Sequence, residues 1–232
     1  MKELRPEYRR DDYYDFVVKD VGDAHAPYAD RILMLGRGNH ETSVLKNSNT
    51  DLIDRLAFYM NTTTGSHIMT GGYGGWIRFM FTHSGVTPDS SLKLKYFHGA
   101  GSEAPVTRGV IQTNRQAVYL PDADIVLNGH NHNNYYVPIS RERISNKGTL
   151  FFDIQHHIRV PGYKSEYADG SGGWAVERGG IPKPNGAAWM RMFYDDHAPQ
   201  VEFTMAIEGG MAGEPAGFGG DDREPLPEYY DE

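Results

Sequence analysis

The sequence predicts an α/β fold, a mixed sheet packed as a sandwich with flanking helices, on three observations. Two short apolar runs, Arg31-Ile-Leu-Met-Leu-Gly36 and Ala123-Asp-Ile-Val-Leu-Asn128, have the length of buried strands and lead into glycine turns. Residues 11–26 and 51–60 space their apolar side chains as amphipathic helices do. Six further runs between residues 76 and 206 alternate or cluster apolar residues as strands do.

Taken in order, residues 1–12 are charged and polar and read as an irregular lead-in. Tyr14, Val17, Val18 and Val21 share one face of a helix that ends near Pro27. Residues 31–35 are a strand, and 38–48 a loop. Asn49-Thr50-Asp51 caps a helix running to about Met60, with Leu52, Ile53, Leu56 and Ala57 on its buried face. A Gly-, Thr- and Ser-rich loop over 62–75 leads to paired strands at 76–82 and 92–97, joined by a turn over 85–90. A helix near Val110–Tyr119 is stopped by Leu120-Pro121, and the strand 125–127 follows. The runs 135–139, 149–154, 189–194 and 200–206 are expected to build a second sheet. From about Glu208 glycine and acidic residues dominate and no packable face remains. Residues 1–207 are therefore expected to form one domain, and 208–232 a tail that is flexible or packed on a partner.

A chain of 232 residues can bury one sizeable core. With no cysteine, any metal must bind through nitrogen and oxygen. The net charge of −8 argues against a surface that coats nucleic acid, although local Arg and Lys near a cleft could still hold phosphate. The apolar stretches fall far short of a membrane span, and no secretion-signal pattern opens the chain. A cytoplasmic protein without membrane attachment is the expectation.

The chemistry lies beyond the two apolar runs. Gly38-Asn39-His40-Glu41 follows the first, and Gly129-His130-Asn131-His132 follows the second about ninety residues later. Both present imidazole and amide groups at the carboxyl end of a strand, the edge at which open α/β sheets bind ligands. These side chains suit divalent metals, and the glycines permit tight turns and close backbone approach.

The two motifs, with His98 in Lys95-Tyr-Phe-His-Gly-Ala-Gly101 between them, resemble the calcineurin-like metallophosphoesterases over roughly residues 10–160. The likeness points to the Mre11/SbcD-like branch of phosphodiesterases and nucleases. It implies a metallophosphoesterase-like β-sandwich in which Asn39, His98 and His130 bind a second metal and His132 a first. His40 would assist the leaving group or hold the phosphate; a hydrogen-bonding role within its loop is the alternative. His83, also after an apolar strand, competes with His98, whose glycine context and spacing fit better. The family's Asp-x-His and Gly-Asp-x-x-Asp are not found. The nearest sequence, Gly22-Asp23-Ala24-His25, sits in a helical pattern. The resemblance therefore implies that the N-terminal strands are missing and that about half of a two-metal site is present.

Arg37 and Arg108 are candidate phosphate contacts, with surface or structural roles as the alternative, and Arg115 is similar. His156 and His157 are possible replacement ligands; adjacent strand residues point to opposite faces, so at most one would face the site. Gly170-Ser-Gly-Gly-Trp174 has no Lys-Ser/Thr and no strand-to-helix frame, which argues against nucleotide binding through it. The implied function is metal-dependent hydrolysis of phosphate esters by metal-activated water, as a phosphodiesterase or nuclease. Mn is the favoured ion, and Fe, Zn or Ni also suit the donors. The alternative is a non-catalytic truncated relative that binds at most one metal and acts in assembly. The substrate would be a phosphodiester or nucleic acid, and a homo-oligomer or a partner would cover the face left by the missing strands.

Overall fold

A five-stranded mixed sheet carries the second motif and the lone histidine in the computed structural model, which describes residues 10–82, 90–100, 107–163, 174–177, 179–194 and 198–207. Its order is β3 (Gly74–Phe81), β4 (Ser90–Phe97), β5 (Ile125–Asn128), β7 (Leu150–Arg159) and β6 (Tyr135–Ile144). The inner three strands are parallel and the two edge strands antiparallel to them. Helix α4 (Val110–Tyr119) makes the crossover from β4 to β5. Phe97, Asn128 and Arg159 stand in one register row, so the three parallel strands end level with one another. His98 and Gly129 therefore leave the sheet side by side.

The first motif belongs to a separate unit. Helix α1 (Tyr13–His25), a 3-10 turn (Ala26–Arg31) and helix α3 (Leu52–Thr64) enclose a core of Ala29, Ala57, Met60 and Ile68. Asp51 starts α3 by accepting from the amides of Ile53 and Asp54, the capping expected of that residue. Strand β1 (Met34–Leu35) pairs in parallel with β2 (Met69–Thr70). Residues 39–48, expected as a loop, are helix α2 (Asn39–Ser48). Glu41 Oε2 accepts from Gly38 N–H at 2.8 Å, a capping contact that fixes the helix start at the motif itself.

Two further expectations change. The strands 135–139 and 149–154 run on to Ile144 and Arg159 and complete the main sheet; only β8 (Gly186–Tyr194) and β9 (Pro199–Ile207) form a second sheet. That hairpin covers Leu94, Ile125 and Ile158 with Met190, Val201, Phe203 and Met205. His156 and His157 consequently lie within β7, opposite Ile125 and Val126, rather than beyond its end. The turn 85–89, His83, Gly170–Gly173, His197 and the tail 208–232 lie outside the described residues. Among those described, no helix is long and apolar enough to cross a membrane.

The α4 face of the sheet is polar and fully satisfied in most of its parts. Gln116 and Asn128 exchange amide hydrogen bonds of 3.0 and 2.9 Å, and Gln155 Nε2 donates to the carbonyls of Leu120 and Ala123. The exception is His157, with no solvent exposure. Its Nε2–H donates to Gln155 Oε1 at 2.8 Å, while Nδ1 is buried with no partner. Burial, seconded by the charge of Arg141, pushes its pKa down to about 4. The unfolded chain binds this proton below about pH 6.5 and the folded chain does not, so stability is present above that pH and falls as pH drops toward 4. Between pH 7 and pH 5 the wild type is expected to lose about 2 kcal/mol more than His157→Gln, read from urea unfolding at the two pH values.

Candidate metal centre

Three elements bring the motif side chains together. Asn39 is the first residue of α2, His98 follows β4, and His130 follows β5. His98 N–H donates to the Tyr73 carbonyl at 2.8 Å, and the Tyr73 ring packs edge-on against the imidazole at 5.0 Å. Gly129 N–H donates to the His98 carbonyl at 3.1 Å, which ties the two histidine loops to each other. Gly38 leaves room for His98: a Cβ there would lie 2.8 Å from its Cε1.

His98 Nε2 lies 2.9 Å from Asn39 Oδ1 and 3.3 Å from His130 Nδ1. A neutral His98 carries at most one hydrogen on Nε2, so that atom can donate to only one of these two neighbours. Burial lowers the pKa of both His98 and His130; the charge of His130 adds to it at His98, where Glu41 opposes, and those of His132 and Arg159 add to it at His130. Burial thus favours the neutral form of both imidazoles, the form that donates a lone pair to a metal. Donors about 2.1 Å from a common ion stand about 3.0–3.4 Å from one another, which matches the spacing here. The donor set therefore fits a divalent ion. Two imidazoles and an amide are all uncharged, and among the described residues no group of three His, Asp, Glu or Cys side chains is arranged to hold a metal by itself.

The backbone at the second motif is strained. His130 (φ 73°) and His132 (φ 55°) both occupy the left-handed region, which costs side-chain-bearing residues about 1–2 kcal/mol each. Such strain gathers where side chains must be aimed. The His132 ring lies against Gly162, whose added Cβ would meet it at 3.0 Å. His40 and His132 are both near enough to depress His98. Of two substitutions that equally remove the imidazole, His130→Val is expected to be less stable than His130→Asn by at least about 1 kcal/mol in chemical denaturation, because asparagine tolerates this conformation and a β-branched residue does not.

The structure brings Asn39, His98 and His130 into contact, with His40, exposed on α2, and His132 beside them. Arg37 is held at Nη2 by Asp51 (2.5 Å) and Asp54 (3.2 Å). Arg108 has φ 45°, and its carbonyl accepts from Asn133 Nδ2. His156 is stacked on Tyr136 and shares a 2.7 Å hydrogen bond with its hydroxyl, and His157 points into the polar layer; neither joins the cluster. Two cations beside the motif escaped sequence reasoning. Arg159, 1% exposed, donates to the Gly129 carbonyl at 2.9 Å and to Tyr135 Oη at 3.3 Å. Lys183 donates to the Asn131 carbonyl and Asn133 Oδ1. A single arginine at a strand end and a lysine between prolines carry no pattern that a sequence alone could flag.

No family model matches the chain, and no curated protein matches it. Among solved structures it is similar to Vps29 from Entamoeba histolytica, in a crystal structure with Zn²⁺, at 9% identity and a TM-score of 0.31, over 64% of this chain and 74% of that one. That likeness is partial, and the assignment of the site rests on this chain's own residues.

Proposed function

We propose that this chain is a metal-dependent phosphoesterase, a phosphodiesterase or nuclease in kind, whose ion is held by Asn39, His98 and His130. The observation that carries this reading is that His98 Nε2, just beyond β4, lies 2.9 Å from Asn39 Oδ1 and 3.3 Å from His130 Nδ1, the spacing of donors around one ion. A divalent ion bound there supplies Lewis acidity toward a phosphoryl oxygen and lowers the pKa of water. The chain's own residues do the rest. Tyr73 fixes the His98 ring, and Arg159 holds the Gly129 carbonyl so that His130 keeps its aim. His40, in the first turn of α2, would hold phosphate or protonate the departing oxygen. Imidazole and amide-oxygen donors suit Mn²⁺, Zn²⁺, Fe²⁺ or Ni²⁺.

The test is hydrolysis of bis(4-nitrophenyl) phosphate with and without Mn²⁺, beside His130→Ala. Mn²⁺-dependent turnover that falls at least about 100-fold in the variant supports the reading. Turnover equal in the two proteins, or none in either, rejects it.

A second reading, a one-metal assembly protein, is favoured by the uncharged donor set and by apolar exposure on the small β1–β2 unit, where Leu33 and Met69 are 52% and 50% exposed. It expects Mn²⁺ binding without turnover, and a homo-oligomer or partner complex that covers this face. A monomer in light scattering counts against it.

A further inference from the structure

Beside Asn39 opens a cavity of about 620 Å³, within the range of small-ligand sites. One wall is a single face of α2: Asn39, Thr42, Ser43 and Lys46 follow the i, i+3, i+4, i+7 spacing that aligns side chains along a helix. From Asn39 to Lys46 this face rises about 10 Å. Thr42 Oγ1 donates to the Gly38 carbonyl, whereas Ser43 Oγ accepts from Asn47 and keeps its own hydrogen to offer. Tyr73, the residue packed on His98, lines the cavity too. So does Arg37, whose Nη2 is pinned by the carboxylates at the start of α3. Its Nε is a buried donor with no acceptor, and such a group is costly to leave unmet. The cavity thus starts at a metal-site residue and passes hydroxyl groups toward a lysine, while the buried Arg37 Nε lies behind its surface.

We propose that this cavity binds a second anionic group of the substrate. The substrate is then a small organic phosphate ester carrying a further phosphate or carboxylate within about 10 Å of the reacting phosphorus, the reach of the α2 face. This rests on the phosphoesterase reading and narrows it: the α2 face selects for the second charge, while Asn39, His98 and His130 serve the first phosphate. A long polyanion fits poorly with a chain of net charge −8.

The experiment compares thymidine 3′-phosphate with thymidine 3′,5′-bisphosphate by calorimetry in the presence of Mn²⁺, using wild type, Lys46→Gln and, as a remote control, Lys147→Gln in the β6–β7 turn. Wild type is expected to bind the bisphosphate at least tenfold more tightly. Lys46→Gln should reduce that ratio at least fivefold, and Lys147→Gln should preserve it. A wild-type ratio near one overturns the proposal, as does a ratio unchanged in Lys46→Gln or lost equally in Lys147→Gln. Turnover of the 4-nitrophenyl esters of the two nucleotides is read separately. No Mn²⁺-dependent turnover with the binding ratio intact defeats the phosphoesterase reading and leaves the anion pocket standing; turnover without a ratio defeats the pocket alone.

Discussion

His98→Ala is expected to abolish the stabilisation that Mn²⁺ confers on the wild type. His98 is the middle member of the cluster, since its Nε2 touches both Asn39 Oδ1 and His130 Nδ1. Without it the other two donors have no common neighbour, and two uncharged groups on separate elements hold an ion poorly. At 100 times the dissociation constant, a ligand that binds only the folded state adds about 2.7 kcal/mol. In a domain of this size that raises Tm by about 5–10 °C. Thermal scans with and without Mn²⁺ should show this rise in the wild type and none in His98→Ala. An equal rise in both would place the ion elsewhere. Metal-dependent hydrolysis should fall by at least about 100-fold in the same variant.

Gly99→Ala is expected to damage both fold and site. Gly99 has φ +109°, and a Cβ there would come within 2.8 Å of the Gly129 carbonyl oxygen and of His130 Cβ. The obstruction is backbone, so it cannot rotate away; the loops bearing His98 and His130 would have to separate. Strain at this φ alone costs about 1–3 kcal/mol, and the backbone clash adds to it. Gly148→Ala is the matched control, because Gly148 has φ +80° with nothing within 4 Å of an added Cβ. It should cost backbone strain and leave Mn²⁺ affinity unchanged. Gly99→Ala should be the less stable of the two in urea unfolding and should bind Mn²⁺ more weakly. Equal stability and equal affinity would mean that the close approach of the two loops is unimportant.

The sequence made β5 and both motifs legible for a physical reason. The apolar run that ends in Gly129 is the buried strand β5, whereas the run before Gly38, expected as a buried strand over 31–35, is only the two half-buried residues of β1; Gly38, Gly99 and Gly129 sit where loops press on side chains or on one another. Asn39 and His130, about ninety residues apart, were readable as neighbours only through the order of the motifs. Helix α2 was missed because its mean composition is polar, and Glu41, which caps it, looks like any motif acid. The continuation of β7 through Gln155, His157 and Arg159 was hidden for the opposite reason. These are polar residues buried by partners in the loop after α4 and on β6, and a pattern of apolar alternation cannot find them. The cavity along α2 depends on how that helix is rotated, which the sequence does not disclose once the segment is taken for a loop.

The most direct test of the metal centre is an anomalous difference map from crystals of the wild type grown with Mn²⁺. A single strong peak within about 2.0–2.4 Å of Asn39 Oδ1, His98 Nε2 and His130 Nδ1 is the predicted result. A map in which those three atoms remain hydrogen-bonded to one another, with no peak between them at saturating Mn²⁺, would contradict it.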